Sequence, residues 1–170
     1  MQSGFSRKGL KMWRFWLVIC VLTAGFARFA AAEPAPALIV PTLDGPVFDL
    51  SAQRGHVVIV NFWATWCVPC RAEMPMLDAF YKKHQAQGLT LLGLSVDTPS
   101  ALDKVKKAAS SVSYPVAVVR DAQANEFPTA NALPVTYIID AKGEVRAKVI
   151  PDVGGLTERQ LAAVVEPLLK

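Results

Sequence analysis

Cysteine and histidine are scarce in this chain, and their scarcity argues against two classes of protein. The 170 residues include three cysteines and two histidines, and of the cysteines only Cys67 and Cys70 lie beyond residue 32. A small secreted scaffold held together by disulfides would carry several spaced pairs. A structural zinc site needs four ligands, and His56 and His84 are both distant from the cysteine pair in sequence. We therefore predict no metal site and expect both histidines to be ordinary surface or loop residues.

Acidic residues are absent from the first 32 residues, which hold five of the 18 basic ones. An uncharged, mostly apolar run over 15–27 follows the first four basic residues, and Ala30 and Ala32 form an A-x-A pattern. This order is typical of a secretory signal peptide that is cleaved after Ala32. The run is shorter than the ~20 residues of a membrane-spanning helix, but an uncleaved N-terminal anchor over 1–32 stays the alternative. The sequence thus predicts a periplasmic protein, either soluble or tethered to the inner membrane.

Beyond residue 32 neither sign of charge dominates, because 13 basic residues stand against 14 acidic ones. The basic character of the whole chain belongs to its first segment, and nothing in the remainder favours nucleic acid as a partner. Residues 33–37, which include Pro34 and Pro36, predict a short extended linker. Residues 38–170 show no internal repeat and no second domain, so they predict one domain, which we expect to be a monomer.

Apolar patterns over 38–170 alternate between strand and helix. A turn with Asp44-Gly45 at its centre predicts an N-terminal β-hairpin, and Thr157 with Gln160 predicts a capping box for a last helix. The predicted segments are a hairpin at 38–50, strand 57–63, helix 67–87, strand 89–96, helix 99–109, strand 114–119, an irregular stretch 120–133, a hairpin at 135–150 and the last helix. This order predicts an α/β fold with a central mixed β-sheet and helices on both faces.

The motif that carries chemistry is Trp66-Cys67-Val68-Pro69-Cys70, which lies where a predicted buried strand ends and a predicted helix begins. At a helix N-terminus the first thiol faces free backbone N–H groups and the positive end of the helix dipole, which lower a thiol pKa from about 8.5 toward about 7. The second cysteine lies one turn further on, close enough to form a small disulfide. A thiolate with a resolving partner suits thiol–disulfide exchange. An inert structural disulfide and half of a zinc site are the alternatives.

The residues around this motif resemble a known family. The run from Phe62 to Arg71 is similar to the active-site strand and helix of the thioredoxin superfamily, and Leu133-Pro134-Val135 is similar to its cis-proline loop. Asn61, Glu73 and Pro75 resemble the TlpA/ResA-like exported branch, and the likeness runs from about Leu38 to Leu168. The resemblance implies a thioredoxin-like fold for 38–170.

The resemblance also implies roles for residues beside the cysteines. Cys67 would be the nucleophile and Cys70 the resolving thiol. Pro134 would be cis, although sequence alone favours trans, and its loop would bind a substrate strand through Leu133 and Val135 together with Trp66.

Other residues near the motif are expected to support the site. Val68 and Pro69 would fix the turn between the sulfurs, with Asn61 in the strand below. We expect Trp63 and Trp66 to pack around the site and shield it rather than bind a cofactor.

Glu73 is the one candidate for proton transfer. Thioredoxin itself has a buried aspartate where Asn61 stands, and an amide cannot take a proton from the resolving cysteine. Glu73 is the nearest carboxylate in sequence, one helical turn past Cys70. Burial would raise its pKa and suit it to act as acid and base for the thiols. The alternative is a solvated glutamate on the helix surface.

These observations predict an exported thiol–disulfide oxidoreductase that needs no cofactor. Val68 and Pro69 add no cation beside the thiolate, which favours a reductant over a strong oxidant. The family resemblance implies an upstream membrane thiol-reducing system and client proteins such as apocytochrome c or a copper site with paired cysteines. An alternative is a copper-handling chaperone that uses Cys67 and Cys70 as ligands. A peroxidase-like enzyme fits less well, because its T-x-x-C setting is missing.

Overall fold

The computed structural model of the protein describes residues 33–128, 132–150 and 155–169. The predicted signal peptide or anchor, 1–32, lies outside the described residues. Within the part of the chain that is described, no helix is long and apolar enough to cross a membrane.

The described residues form nine strands and three α-helices. The strands are β1 (Glu33–Pro34), β2 (Leu38–Pro41), β3 (Val47–Asp49), β4 (Val57–Trp63), β5 (Leu89–Ser95), β6 (Val116–Val118), β7 (Ala124–Asn125), β8 (Val135–Ile139) and β9 (Glu144–Val149). The α-helices are α1 (Val68–His84), α2 (Leu102–Ala109) and α3 (Glu158–Val165). Thr157 and Gln160 form the predicted capping box at the start of α3.

The central sheet has six strands in the order β1-β9-β8-β4-β5-β6. β4, β5 and β6 are parallel, whereas β8 is antiparallel to both β4 and β9. The predicted N-terminal hairpin is present as β2 and β3, and β7 joins it in a small antiparallel sheet. The predicted α/β, thioredoxin-like fold with a mixed central sheet is confirmed.

Two short strands lie in stretches for which the sequence predicts no strand. Glu33 and Pro34, at the start of the expected linker, pair with β9 at the edge of the central sheet. Proline has no N–H to donate and is tolerated on an edge strand, so the extended backbone of this stretch completes the sheet. β7, within the stretch expected to be irregular, pairs with Leu38 and Ile39 of β2.

The central sheet separates two apolar clusters, and side chains of β4 alternate between them as strand geometry requires. Ile59 and Trp63 belong to the cluster on one face, and Val60 and Phe62 belong to the cluster on the other. Because β4 is buried on both faces, it appears in sequence as a continuous apolar run.

The expectation that helices cover both faces is corrected. Leu77 of α1, Val105 of α2 and Leu161 of α3 all belong to one core cluster, and the small sheet covers the other. β4, β5 and β6 follow one another in a single direction across the sheet. The right-handed crossovers through α1 and α2 therefore place both helices on the same face.

Candidate active site

Cys67 and Cys70 form a disulfide at the point where β4 leads into α1. Cys67 is the N-cap of α1, with extended backbone, and its Sγ accepts the backbone N–H of Cys70 at 3.3 Å. Pro69 occupies the first turn, where a helix needs no N–H donor. The same donor and the helix N-terminus favour a thiolate on Cys67 once the disulfide is reduced. Cys67 is 5% exposed and Cys70 2%, so Cys67 is the more accessible residue by a small margin.

Apolar side chains surround the disulfide at the surface. Trp66 is 68% exposed and Val68 67% exposed, and Pro69 is also exposed. Of the two tryptophans expected to pack around the site, Trp63 is buried in the core and Trp66 lies at the surface. The two tryptophans differ because the turn after β4 separates them. Trp63 is the last residue of the buried strand, and Trp66 immediately precedes the helix N-cap. Trp66 and Val68 thus form an exposed apolar rim beside a buried disulfide.

The Leu133–Pro134 peptide bond is cis, as the resemblance implies. Leu133 packs against the core cluster that contains both cysteines. Val135 begins β8 and pairs in register with Phe62, close to the end of β4. The loop that the resemblance assigns to substrate binding therefore leads into the strand next to β4. Residues 129–131 of this loop lie outside the described residues.

Glu73 is buried on α1, one turn after Cys70, rather than solvated. Its Oε1 accepts the backbone N–H of Leu156 at 2.6 Å, and its Oε2 has no hydrogen-bond partner among the described residues. Burial raises the pKa of this carboxyl above its ordinary value, and the hydrogen bond from Leu156 opposes the shift. The expectation of a buried glutamate with a raised pKa is therefore met.

Asn61 ties the two central strands together below the site. Its Nδ2 donates to Thr136 Oγ1 at 2.9 Å, and both residues are buried. The two residues stand opposite each other in the β4–β8 register. This hydrogen bond satisfies two polar side chains inside the sheet. The Asn61 amide does not titrate, so it cannot exchange a proton with the cysteines.

Comparison with known proteins identifies the family. The family model described as "AhpC/TSA family" matches residues 31–148, more than half of the chain. The chain belongs to this family. The match includes the disulfide, the Leu133–Pro134 loop and all of the central sheet except the last residue of β9.

Relatives of this AhpC/TSA-family protein are named thiol-disulfide oxidoreductases. The chain is 30% identical to the thiol-disulfide oxidoreductase ResA of Bacillus cereus over 141 residues, which cover 83% of this chain and 80% of the relative. It is 34% identical to the ResA of Geobacillus kaustophilus over 119 residues, which cover 69% and 67%. A crystal structure of a thioredoxin-family thiol:disulfide interchange protein from Chlorobium tepidum is similar, with a TM-score of 0.64, 29% identity, and coverage of 81% of this chain and 96% of that one. The protein is a thiol-disulfide oxidoreductase that acts through the Cys67–Cys70 pair.

The active site of this AhpC/TSA-family oxidoreductase includes a residue that the sequence analysis missed. Asp97 is buried just beyond β5, and its carboxylate accepts the backbone N–H of Thr65 at 2.8 Å and the Thr65 hydroxyl at 2.7 Å. The Ser95 hydroxyl donates to the same carboxylate at 2.8 Å. Asp97 therefore anchors the turn that presents Cys67. A buried acid directly after an apolar strand is a signal that could have revealed it, because such a group needs several donors.

The two histidines take no part in this site. His56 is exposed in a loop, as expected, but His84 is buried at the far end of α1, and the expectation of a surface residue is wrong for it. Its ring packs against Phe80 with the centroids 4.5 Å apart, and its Nδ1 lies 3.0 Å from Gln87 Oε1. Among the residues that the structure describes, no group of three or more His, Cys, Asp or Glu side chains could hold a metal ion.

Proposed function

We propose that the protein is an exported reductant of disulfides in periplasmic client proteins. The observation that carries this proposal is the position of Cys67 at the N-cap of α1, with the Cys70 N–H on its sulfur. That arrangement favours a thiolate on Cys67, the slightly more accessible residue of the pair. The apolar rim of Trp66 and Val68 is suited to contact with a polypeptide rather than with a small polar substrate.

The reaction transfers two electrons and two protons to the client. The Cys67 thiolate attacks one sulfur of the client disulfide, an intermolecular disulfide forms, and the other client sulfur leaves as a thiolate that takes up a proton. Cys70, once deprotonated, attacks Cys67 Sγ and releases the second client thiol. The product on the protein is the Cys67–Cys70 disulfide, which is the state of the structure.

Glu73 is the group that we propose accepts the proton of Cys70 in the second step. It lies one turn along the same helix, and one of its two carboxyl oxygens has no partner among the described residues. A carboxyl with a pKa raised by burial takes up a proton near neutral pH more readily than an ordinary glutamate does. Asn61, which stands where thioredoxin has an acid, cannot do this.

A reductant in an oxidising compartment needs an electron source. The predicted signal peptide supports a periplasmic location, and we propose a membrane thiol-reducing system as the upstream donor of two electrons in each cycle. Apocytochrome c and proteins with paired cysteines at a copper site are the client classes that fit, because both need their cysteines reduced before the cofactor binds. The segment between the sulfurs, Val68 and Pro69, brings no cation that would stabilise the reduced form unusually.

The reduction potential tests the direction of the reaction. Equilibration with glutathione should give a value nearer the about −270 mV of thioredoxin than the about −120 mV of a strong oxidant. A potential above about −150 mV would make the protein an oxidant and overturn the proposal. Copper(I) binding in a protein that reduces no disulfide would replace it with the copper-chaperone alternative.

Client proteins can be captured with Cys70→Ala, which should stop the reaction at the intermolecular disulfide. Mass spectrometry of the captured proteins in periplasmic extracts then identifies the clients. Cys67→Ala is the matched control, because it keeps one cysteine but removes the attacking one, and it should capture nothing. Equal capture by both variants would contradict the assignment of Cys67.

A further inference from the structure

A groove of about 420 Å³ lies beside the active-site turn and takes residues from both α1 and α2. The residues that line it are Thr65, Arg71, Met74, Pro75, Lys104, Lys107, Ala108 and Ser111. On α1, Met74 and Pro75 lie three and four residues after Arg71. On α2, Lys107 and Ala108 lie three and four residues after Lys104, so each helix contributes one face. We call this the basic groove, because Arg71, Lys104 and Lys107 are its only charged lining residues.

The three cations of the basic groove form no ion pair within the part of the chain that the structure describes. Arg71, Lys104 and Lys107 are exposed, and none of them forms an ion pair with any described carboxylate. Residues 33–170 carry one more acidic than basic side chain, so this cluster does not reflect an excess of positive charge. The buried carboxylate of Asp97 already accepts three hydrogen bonds, two from Thr65 and one from the Ser95 hydroxyl. The groove therefore presents to the solvent three positive charges that form no described ion pair.

The basic groove adjoins the reacting sulfurs. Thr65 lies two residues before Cys67, and Arg71 directly follows Cys70. Met74 and Pro75 add apolar surface between the cations. A polypeptide whose cysteine reaches Cys67 would place neighbouring residues within range of this surface, and its mixture of apolar and positive groups fits a segment that carries carboxylates.

We propose that the basic groove binds an acidic segment of the client polypeptide next to its disulfide. This inference rests on the proposed function, since it names the charge of the client that the oxidoreductase selects. Complementary charge beside a reacting group raises the rate of encounter by 10-fold or more at low salt, and the effect falls as ionic strength rises. The groove thus acts on the choice of client and not on the chemistry of the sulfurs.

Three synthetic peptides test the proposal, each with one disulfide and with flanking residues that are acidic, neutral or basic. The reduced protein should reduce the acidic peptide about 10-fold faster than the neutral one at low salt, and the basic peptide more slowly. The preference should shrink toward equality at about 0.5 M salt, where charges are screened within a few ångströms. Reduction of the same peptides by dithiothreitol corrects for their intrinsic reactivity.

Lys107→Glu and Lys106→Glu form a matched pair for this test. Both change one exposed lysine of α2 by the same charge, but only Lys107 lines the basic groove. Lys107→Glu should lose most of the preference for the acidic peptide, and Lys104→Glu/Lys107→Glu should reverse it, whereas Lys106→Glu should keep it. Equal losses in the two single variants would overturn the proposal, because they would show an effect of net charge alone.

An uncharged small disulfide, hydroxyethyl disulfide, separates this proposal from the proposed function. All four proteins should reduce it at the same rate, since the groove does not act on the sulfurs. If the wild type reduces it but treats the three peptides alike at low salt, the groove proposal fails and the function stands. If the wild type reduces no disulfide at all, the proposed function fails and this inference fails with it.

Discussion

Two buried carboxylates stand near the disulfide, and they differ in the number of donors that each receives. Asp97, beyond the end of β5, accepts hydrogen bonds from the backbone and hydroxyl of Thr65 and from the hydroxyl of Ser95. Glu73, on α1, accepts one hydrogen bond, from Leu156, and its second oxygen has none from the described residues. The two acids are buried to a similar degree, so burial alone does not set their roles.

The difference in donors suits Asp97 to anchor a turn and Glu73 to the proton transfer that we propose for it. A carboxylate with three donors fixes the groups that bind it, and in this protein Asp97 fixes the turn that presents Cys67. A carboxyl with one donor is poorly solvated as an anion, and burial raises the pKa of Glu73 accordingly. Glu73 therefore holds a proton more readily than an ordinary glutamate, which suits it to accept a proton in the step that we propose for it.

The largest expected effect comes from removing the anchor. Asp97→Ala should lower the free energy of unfolding by about 3 kcal/mol, because three donors lose a charged acceptor in a largely buried site. Urea denaturation at neutral pH measures this loss. Glu73→Gln is the comparison, and it should change the same quantity by less than about 1 kcal/mol, since its one hydrogen bond can be kept. Equal losses in the two variants would remove the distinction between the two acids.

The next effect concerns the rate of the reaction. Glu73→Gln should slow disulfide exchange by about 10-fold or more, the lower end of what general acid–base groups contribute. Single-turnover kinetics with hydroxyethyl disulfide measures it. Glu158→Gln, an exposed glutamate in the first turn of α3, is the matched control and should react at the wild-type rate. A wild-type rate in Glu73→Gln would leave Glu73 without a part in the reaction.

Stability should also depend on pH through Glu73. Its pKa is raised on folding from an ordinary value of 4.5, so between that value and the raised one the folded state binds more protons than the unfolded state. The contribution of Glu73 to stability is therefore complete below pH 4.5 and is lost as pH rises through the raised pKa. Denaturation of Glu73→Gln across this range should show a flatter profile than the wild type. Parallel profiles for the two proteins would contradict the assigned shift.

The smallest expected effect tests the close approach of Gly155 to the Glu73 carboxyl. Gly155 has φ +72°, and a Cβ there would lie 3.1 Å from Glu73 Oε1, whereas Gly45 has φ +108° and open space around it. Alanine at either position should cost about 1 kcal/mol of stability, because both backbones favour glycine. Gly155→Ala alone should also slow exchange, by about 2-fold to 3-fold, since it displaces the carboxyl. Slower exchange in Gly45→Ala as well would point to a general loss of structure.

Much of the fold could be predicted from local sequence. Continuous apolar runs gave β4 and β5 nearly to the residue, and Thr157 with Gln160 gave the start of α3. The placement of all helices on one face could not be read in this way, because it depends on the order of strands across the sheet. The two-residue strands β1 and β7 are too short to leave a periodic signal.

The site was predictable where residues are close in sequence. Cys67, Cys70 and Glu73 lie within the first two turns at the start of one helix, so their proximity follows from helix geometry. Asp97 was missed because its partner Thr65 is 32 residues away, so that the only local signal was an acid directly after an apolar strand.

The rate at which iodoacetamide alkylates the fully reduced protein, followed by peptide mass spectrometry from pH 4 to pH 9, tests the account most directly. The account predicts that Cys67 is labelled first at neutral pH. It also predicts a wild-type profile with two apparent pKa values, one of which Glu73→Gln removes, because a carboxyl and a thiol that interact titrate together. Preferential labelling of Cys70, or identical profiles in the two proteins, would contradict it.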